Sequence, residues 1–176
     1  VNTEKVRLVR GSVLEQPVDV IVNAANPSMR GGGGVDGAIH KAAGKALLAE
    51  LKEVAPNGAR TSVPVLTKAH DLPHKAILHV AGPVWQGGGS NEANLLGACY
   101  KNCLQITAGN GWSSIAFCGI STGIFRFPLR LACEIAITES MKFLEGESSL
   151  EEIVFAMFQE PEFREYETQL AARNRG

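Results

Sequence analysis

The stretch that most constrains this chain is residues 20–44, VIVNAANPSMRGGGGVDGAIHKAAG. Four consecutive glycines, Gly31 to Gly34, carry a large conformational-entropy cost inside a helix or strand, so they mark a loop. Ahead of them Val18, Val20, Ile21 and Val22 form a short β-branched run of the kind that makes a buried strand. Behind them the composition turns to Ala, Leu and Lys, which predicts one helix over residues 35–54. The chain leaves the strand through Asn23 and Asn26 and passes Pro27 before the glycines. Strand, polar turn, glycine loop and helix start together make an anion site, because the backbone approaches closely and unpaired N–H groups face outward. A phosphorylated ligand is the expectation.

The rest of the chain narrows the class. Its 176 residues suffice for one domain with a sizeable core, expected to span residues 1–176 without a linker or repeat. A formal net charge of −1 argues against nucleic acid as a partner through a broad basic face. No apolar run approaches the ~18 residues of a membrane span, and VNTEKVRLVRGSV lacks a signal-peptide pattern, so the expectation is a cytoplasmic protein with no membrane partner. Cys99, Cys103, Cys118 and Cys133 form no CxxC pair and no zinc spacing; they read as free thiols on core-facing stripes, with no metal expected.

Strands are predicted at KVRLVR (5–10, an edge or half-exposed strand), at 18–23, around VPVL (an edge, given Pro64), at AILHVA (76–81), at 114–118 and at 153–158. Helices are predicted over 91–108, with Ser90 as its cap, over 128–144 and over 162–172. After the first two strands, strands alternate with helices, which implies an α/β sandwich with a mixed sheet.

GISTGIF (119–125) repeats the design of the first loop: strand, small residues, helix. Two such loops beyond the carboxyl ends of strands can close on a diphosphate from opposite sides, with backbone N–H groups as donors, since neither loop holds a lysine. The absence of GK[ST] after the glycines argues against a Walker-type nucleotide triphosphatase. Gly32, Gly34 and Gly37 formally match the dinucleotide fingerprint G-x-G-x-x-G, but eight residues, Ala24 to Gly31, separate the strand from the match, and the acid due about 20 positions on falls inside the helix, at Glu50 or Glu53. The dehydrogenase reading fails on context.

IVNAANPSMRGGGGVDGAIHKAAG resembles the signature of macrodomains, in particular the MacroD-type branch. HVAGPVW (79–85), SIAFCGISTGIF (114–125) and IVFAMFQEPEFREYE (153–167) resemble further family segments in the family's order. The resemblance implies a three-layer α/β/α sandwich with a mixed central sheet that binds ADP-ribose, free or on a modified protein. It also implies hydrolysis of mono-ADP-ribose from acidic side chains, or deacetylation of O-acetyl-ADP-ribose, without metal or cofactor. By position, Asp36 matches the catalytic acid, and Asn23 and Asn26 match asparagines lining the distal ribose, Asn26 as a hydroxyl contact and Asn23 as a residue orienting loop or water. Gly32, Gly33, Gly34 and Val35 would wrap the distal ribose and diphosphate, and Ser121, Thr122, Gly123, Ile124 and Phe125 would form the second phosphate loop. Ser12 and Val13 fall at the adenine end, where the family's aspartate is replaced by the shorter, neutral Ser12.

A second departure puts Arg126-Phe127-Pro128 where the family has Gly-Tyr-Pro, adding a long cation beside the distal site. Read from the residues alone, Asp36 is also an acid suited to a helix N-terminus. His40, one turn on, reads as a packing or orienting residue, and His70, His74 and His79 show no ligand spacing. Two other functions compete with hydrolysis: a non-catalytic ADP-ribose reader, and a binder of a related ligand such as a polymer terminus or RNA end. Loss of the catalytic acid would mark the reader, and Asp36 is present.

Overall fold

The computed structural model describes residues 3–174. Its six strands form one sheet in the order β1-β6-β5-β2-β4-β3: β1 Val6–Arg10, β2 Val20–Ala25, β3 Val65–Thr67, β4 Ala76–Ala81, β5 Ser114–Phe117 and β6 Glu152–Met157. All neighbours run parallel except β3, which is antiparallel to β4. The expected mixed sheet is thus present, with both predicted edge strands at its edges. β1 does not pair with β2, its neighbour in sequence, but with β6.

Strand alternation sorts the core into two layers. Val20, Val22, Leu78, Val80, Ile115, Phe117, Ile153 and Phe155 meet α3 (Glu92–Gly109), α4 (Leu129–Glu145) and α5 (Glu160–Asn174). Ile21, Ile77, Ala116 and Val154 face the other way, onto α1 (Gly34–Ala43) and α2 (Lys45–Val54) through Ile39, Leu47 and Leu51. Each fully buried Leu, Ile or Phe contributes about 1.5–3 kcal/mol, so the central strands hold both layers together. Tyr100, Phe117, Phe155 and Tyr166 continue across the larger layer as ring pairs with centroids 4.9, 6.0 and 5.0 Å apart. All four cysteines are buried and unpaired. Burial pushes the Cys99 and Cys118 thiols up to about 12.

Two local expectations need correction. The helix predicted over 35–54 is two helices broken at Gly44, whose φ is +91°. A Cβ there would lie 2.7 Å from Asp71 Oδ2, and the Asp71 amide donates to the Ala43 carbonyl at 3.1 Å, so the loop ahead of β4 intrudes on the helix. Ser90 does not cap α3; Asn91 occupies that position in the left-handed region. The Glu92 carboxylate instead turns back and accepts from the amides of Gln86, Gly88 and Ser90 at 2.8, 2.9 and 2.6 Å. Burial alone would raise this carboxyl, but those backbone donors, with its own amide, hold it at about 2. The glycine-rich loop 86–90 is pinned by one side chain.

Candidate functional site

Five parallel strands end on one edge of the sheet, and the chain reverses its direction of growth between β2 and β5. Ligands of open α/β sheets bind at such a switch point. A cleft of about 400 Å³ lies there, walled by the first loop (Asn26, Gly32, Gly33, Gly34, Val35), the second loop (Gly119, Ser121, Gly123, Ile124, Phe125) and Gly82 after β4. Asp36 is the only charged lining residue among the described residues. A recess of about 460 Å³ at Lys5, Met141, Lys142 and Arg173 is larger. No buried polar atom lacking a partner lines it among the described residues.

The first loop is held from within and from behind. Asn26 Oδ1 accepts from the Ser28 amide at 3.1 Å and from the Ser28 hydroxyl, while Asn26 Nδ2 donates to the Gly31 carbonyl at 3.0 Å. Arg30 donates to the Ala55 and Pro56 carbonyls at 3.0 and 2.8 Å, tying the loop to the end of α2. α1 then starts at Gly34, after Gly33 in the cap position with no side-chain cap, leaving its first amides without an intrahelical partner beside the cleft.

Asp36 lies in that first turn and is only 5% exposed. Its Oδ1 accepts from Asn23 Nδ2 at 2.8 Å, and His40 Nε2 stands 3.3 Å from the same oxygen. Its Oδ2 faces Gly32, where an added Cβ would meet it and Asn26 Nδ2 at 3.4 Å each. One carboxylate oxygen is anchored and the other is left toward the loop. Asn23, expected with Asn26 along the ribose, does not line the cleft: it lies within β2, fully buried beneath α1, and reaches Asp36 from the sheet.

The second loop turns at Ser121, which has φ +66°, is 7% exposed and has a buried Oγ without a partner. The Phe127 amide donates to the Ser121 carbonyl at 2.9 Å and the Trp85 amide to the Phe125 carbonyl at 2.8 Å. Trp85 also packs edge-on against Phe127 at 4.9 Å, so the loops after β4 and β5 form one unit. Thr122 does not line the cleft; its hydroxyl donates to Glu162 on α5 at 3.3 Å. Burial raises the Glu162 carboxyl, and the Thr122 bond only partly offsets it. Ile124 stands 92% exposed at the rim.

Ser12 and Val13 also lie outside the cleft lining. Ser12 Oγ accepts from the Leu14 amide at 3.1 Å, capping a 3₁₀ turn, and Val13 is buried. They follow β1 on the same sheet edge as the exposed Phe158, which follows β6. His79, given no role by its spacing, sits directly behind Asn23 with Nδ1 3.0 Å from Asn23 Nδ2. Its signal in the sequence is a polar residue in mid-strand in AILHVA, on the face of Ile77.

Fold and cleft together define an α/β module with a cleft at its switch point, walled by two glycine-rich loops and opened on by the uncapped start of a helix. The Macro domain family model matches residues 22–136. An O-acetyl-ADP-ribose deacetylase of Escherichia coli (strain K12) is 46% identical over 165 residues, 93% of each chain. One of Enterobacter sp. (strain 638) is 44% identical over 176 residues, covering 96% of this chain and 95% of its own. A Trypanosoma brucei macrodomain in complex with ADP-ribose superposes with a TM-score of 0.88 at 42% identity, covering 94% of this chain and 69% of its own. An Oceanobacillus iheyensis macrodomain with ADP gives 0.90 at 33% identity, covering 99% and 95%. The chain belongs to the macro domain family.

Proposed function

We propose that this chain, working as one domain, binds ADP-ribose in the cleft and hydrolyses acyl esters of it: O-acetyl-ADP-ribose, or mono-ADP-ribose carried on an acidic side chain. The observation that carries this reading is Asp36, whose Oδ1 is fixed by Asn23 while Oδ2 is turned toward Gly32 at the cleft. The relatives named as deacetylases, and the related structures holding ADP-ribose and ADP, support the same chemistry. No helix among the described residues is long and apolar enough to cross a membrane. Four unpaired buried cysteines fit a reducing compartment such as the cytoplasm.

In this reading the first amides of α1, at Gly34 and Val35, and those of the second loop around Gly123 neutralise the diphosphate. Backbone dipoles suit this because they need no reorganisation when charge develops. Asn26 and Phe125 border the distal ribose; Ser12, Val13 and Phe158 belong to the adenine end, and Thr122 braces the second loop through Glu162. In both substrates a ribose oxygen carries an acyl group. Water adds across that ester to give ADP-ribose and a free carboxylic acid. Asp36 orients the water and takes its proton, help worth about 10²–10⁴-fold.

The test is Asp36→Ala and Asp36→Asn, assayed on O-acetyl-ADP-ribose and on mono-ADP-ribosylated protein, with ADP-ribose binding followed by calorimetry. Turnover lost with binding kept is the expected outcome. Unchanged turnover overturns the assignment, and a wild-type protein that binds ADP-ribose but turns over neither substrate is a reader.

A further inference from the structure

Behind Asp36 a row of buried polar groups crosses three strands beneath α1. Asn23 on β2 pairs in register with His79 on β4, and Thr67 on β3, in register with Ile77, meets His79 diagonally on the same face. Asn23 and His79 are fully buried and Thr67 is 3% exposed. His79 Nε2 is 3.0 Å from Thr67 Oγ1, and the Thr67 hydroxyl donates to the Lys68 carbonyl at 3.0 Å. None of the three lines the cleft.

The proton positions along this row follow from counting donors. Asp36 is an acceptor, so the Asn23 atom 2.8 Å from it is the amide NH₂; the flipped amide would set two oxygens against each other. The same NH₂ faces His79 Nδ1, which must therefore be bare. At the far end Thr67 spends its one hydrogen on Lys68, so Oγ1 accepts and His79 Nε2 carries the proton. Both ends demand the same tautomer. A proton on Nδ1 would confront the Asn23 NH₂ and push it from Asp36.

We propose that Thr67 and His79 are positioning residues for the reaction: Thr67 selects the Nε2–H tautomer of His79, which holds the Asn23 amide so that it donates to Asp36. This rests on the reading of Asp36 as the catalytic acid. Thr67 acts through two intervening side chains and touches no ligand. Its hydroxyl therefore matters to turnover and not to binding.

The experiment compares wild type, Thr67→Val, Thr67→Ser and Asp36→Ala. The expected ¹⁵N spectra of histidine-labelled wild-type protein have His79 protonated at Nε2 and bare at Nδ1. Thr67→Val removes the acceptor, shifts the proton toward Nδ1 and lowers kcat about 10-fold, the low end of what loss of an outer-shell partner costs, since two side chains stand between Thr67 and Asp36. KM and the ADP-ribose Kd stay within about twofold, since the cleft walls are untouched. Thr67→Ser, which keeps the hydroxyl, recovers most of the kcat and the wild-type tautomer. A wild-type His79 protonated at Nδ1 overturns the proposal whether or not the variants fold, as does a Thr67→Val protein with undiminished kcat. If Asp36→Ala retains turnover, the functional reading itself fails; if it is inactive while Thr67→Val keeps the wild-type kcat, only the relay falls.

Discussion

Gly82 and Ser121 occupy each other's space: a Cβ on Gly82 would lie 2.1 Å from Ser121 Oγ and 2.6 Å from Ile120 Cγ2. The second loop can therefore fold over β4 only because residue 82 has no side chain. Gly82→Ala forces Ser121 and Ile120 outward, at a cost of about 1–3 kcal/mol in stability. If the second loop holds the diphosphate as proposed, its displacement lowers ADP-ribose affinity by calorimetry about 10-fold or more, equivalent to at least ~1.4 kcal/mol. Adding Ser121→Ala removes the Oγ clash but not that with Ile120, so thermal stability recovers only in part.

Arg126 stands exposed with φ +61°, in the left-handed region that disfavours side chains. Its amide donates to the Gly123 carbonyl at 3.0 Å, so the turn itself demands that conformation. Arg126→Gly removes a steric cost of about 1–2 kcal/mol and returns part of it as unfolded-state entropy. The net gain is about 0.5–1 kcal/mol, a Tm rise of roughly 1–4 °C for a chain of this size. Arg126→Ala keeps the Cβ and is expected to leave Tm unchanged, separating backbone strain from charge.

Much of this architecture is legible in the residues because local chemistry decided it. Buried strands announced themselves by β-branched runs, and both glycine loops by strand–glycine–helix order. The break at Gly44 was not legible, because its cause is Asp71, 27 positions away and brought in by the fold. The same holds for the cap of α3: Ser90 was the obvious residue, yet Glu92 satisfied three loop amides that only the folded loop presents together. Asp36 and Asn23 are 13 positions apart, and their pairing could be anticipated only through the family resemblance. His79 and Thr67 depend on strand register, which no spacing rule reveals.

His79 makes acid stability testable. Burial, with the nearby charge of His40 second, lowers its imidazole from 6.5 to about 3. The folded state therefore holds it neutral while the unfolded state takes a proton below pH 6.5. The stability it contributes is fully present above that pH and is lost as pH falls toward 3, on the order of 5 kcal/mol in all. Urea melts across pH 7 to 4 should show unfolding free energy dropping steadily. In His79→Gln the slope between about pH 6 and 4 is shallower by about one proton.

Glu162 carries the opposite sign. Its carboxyl packs under the second loop, where a Cβ on Gly119 would lie 2.1 Å from Oε2, and burial raises it above the ordinary 4.5 despite the Thr122 hydrogen bond. The folded state then binds this proton more tightly than the unfolded state, so stability is lost as pH rises from 4.5 through the raised value. At neutral pH the charged form is a burden on the fold. Glu162→Gln keeps an acceptor for the Thr122 hydroxyl and removes the charge, so its Tm exceeds wild type at pH 7. The difference shrinks toward pH 4, where the wild-type carboxyl is protonated in the folded state. Paired thermal melts across that range check it, and a constant difference at every pH would assign the gain to packing instead of charge.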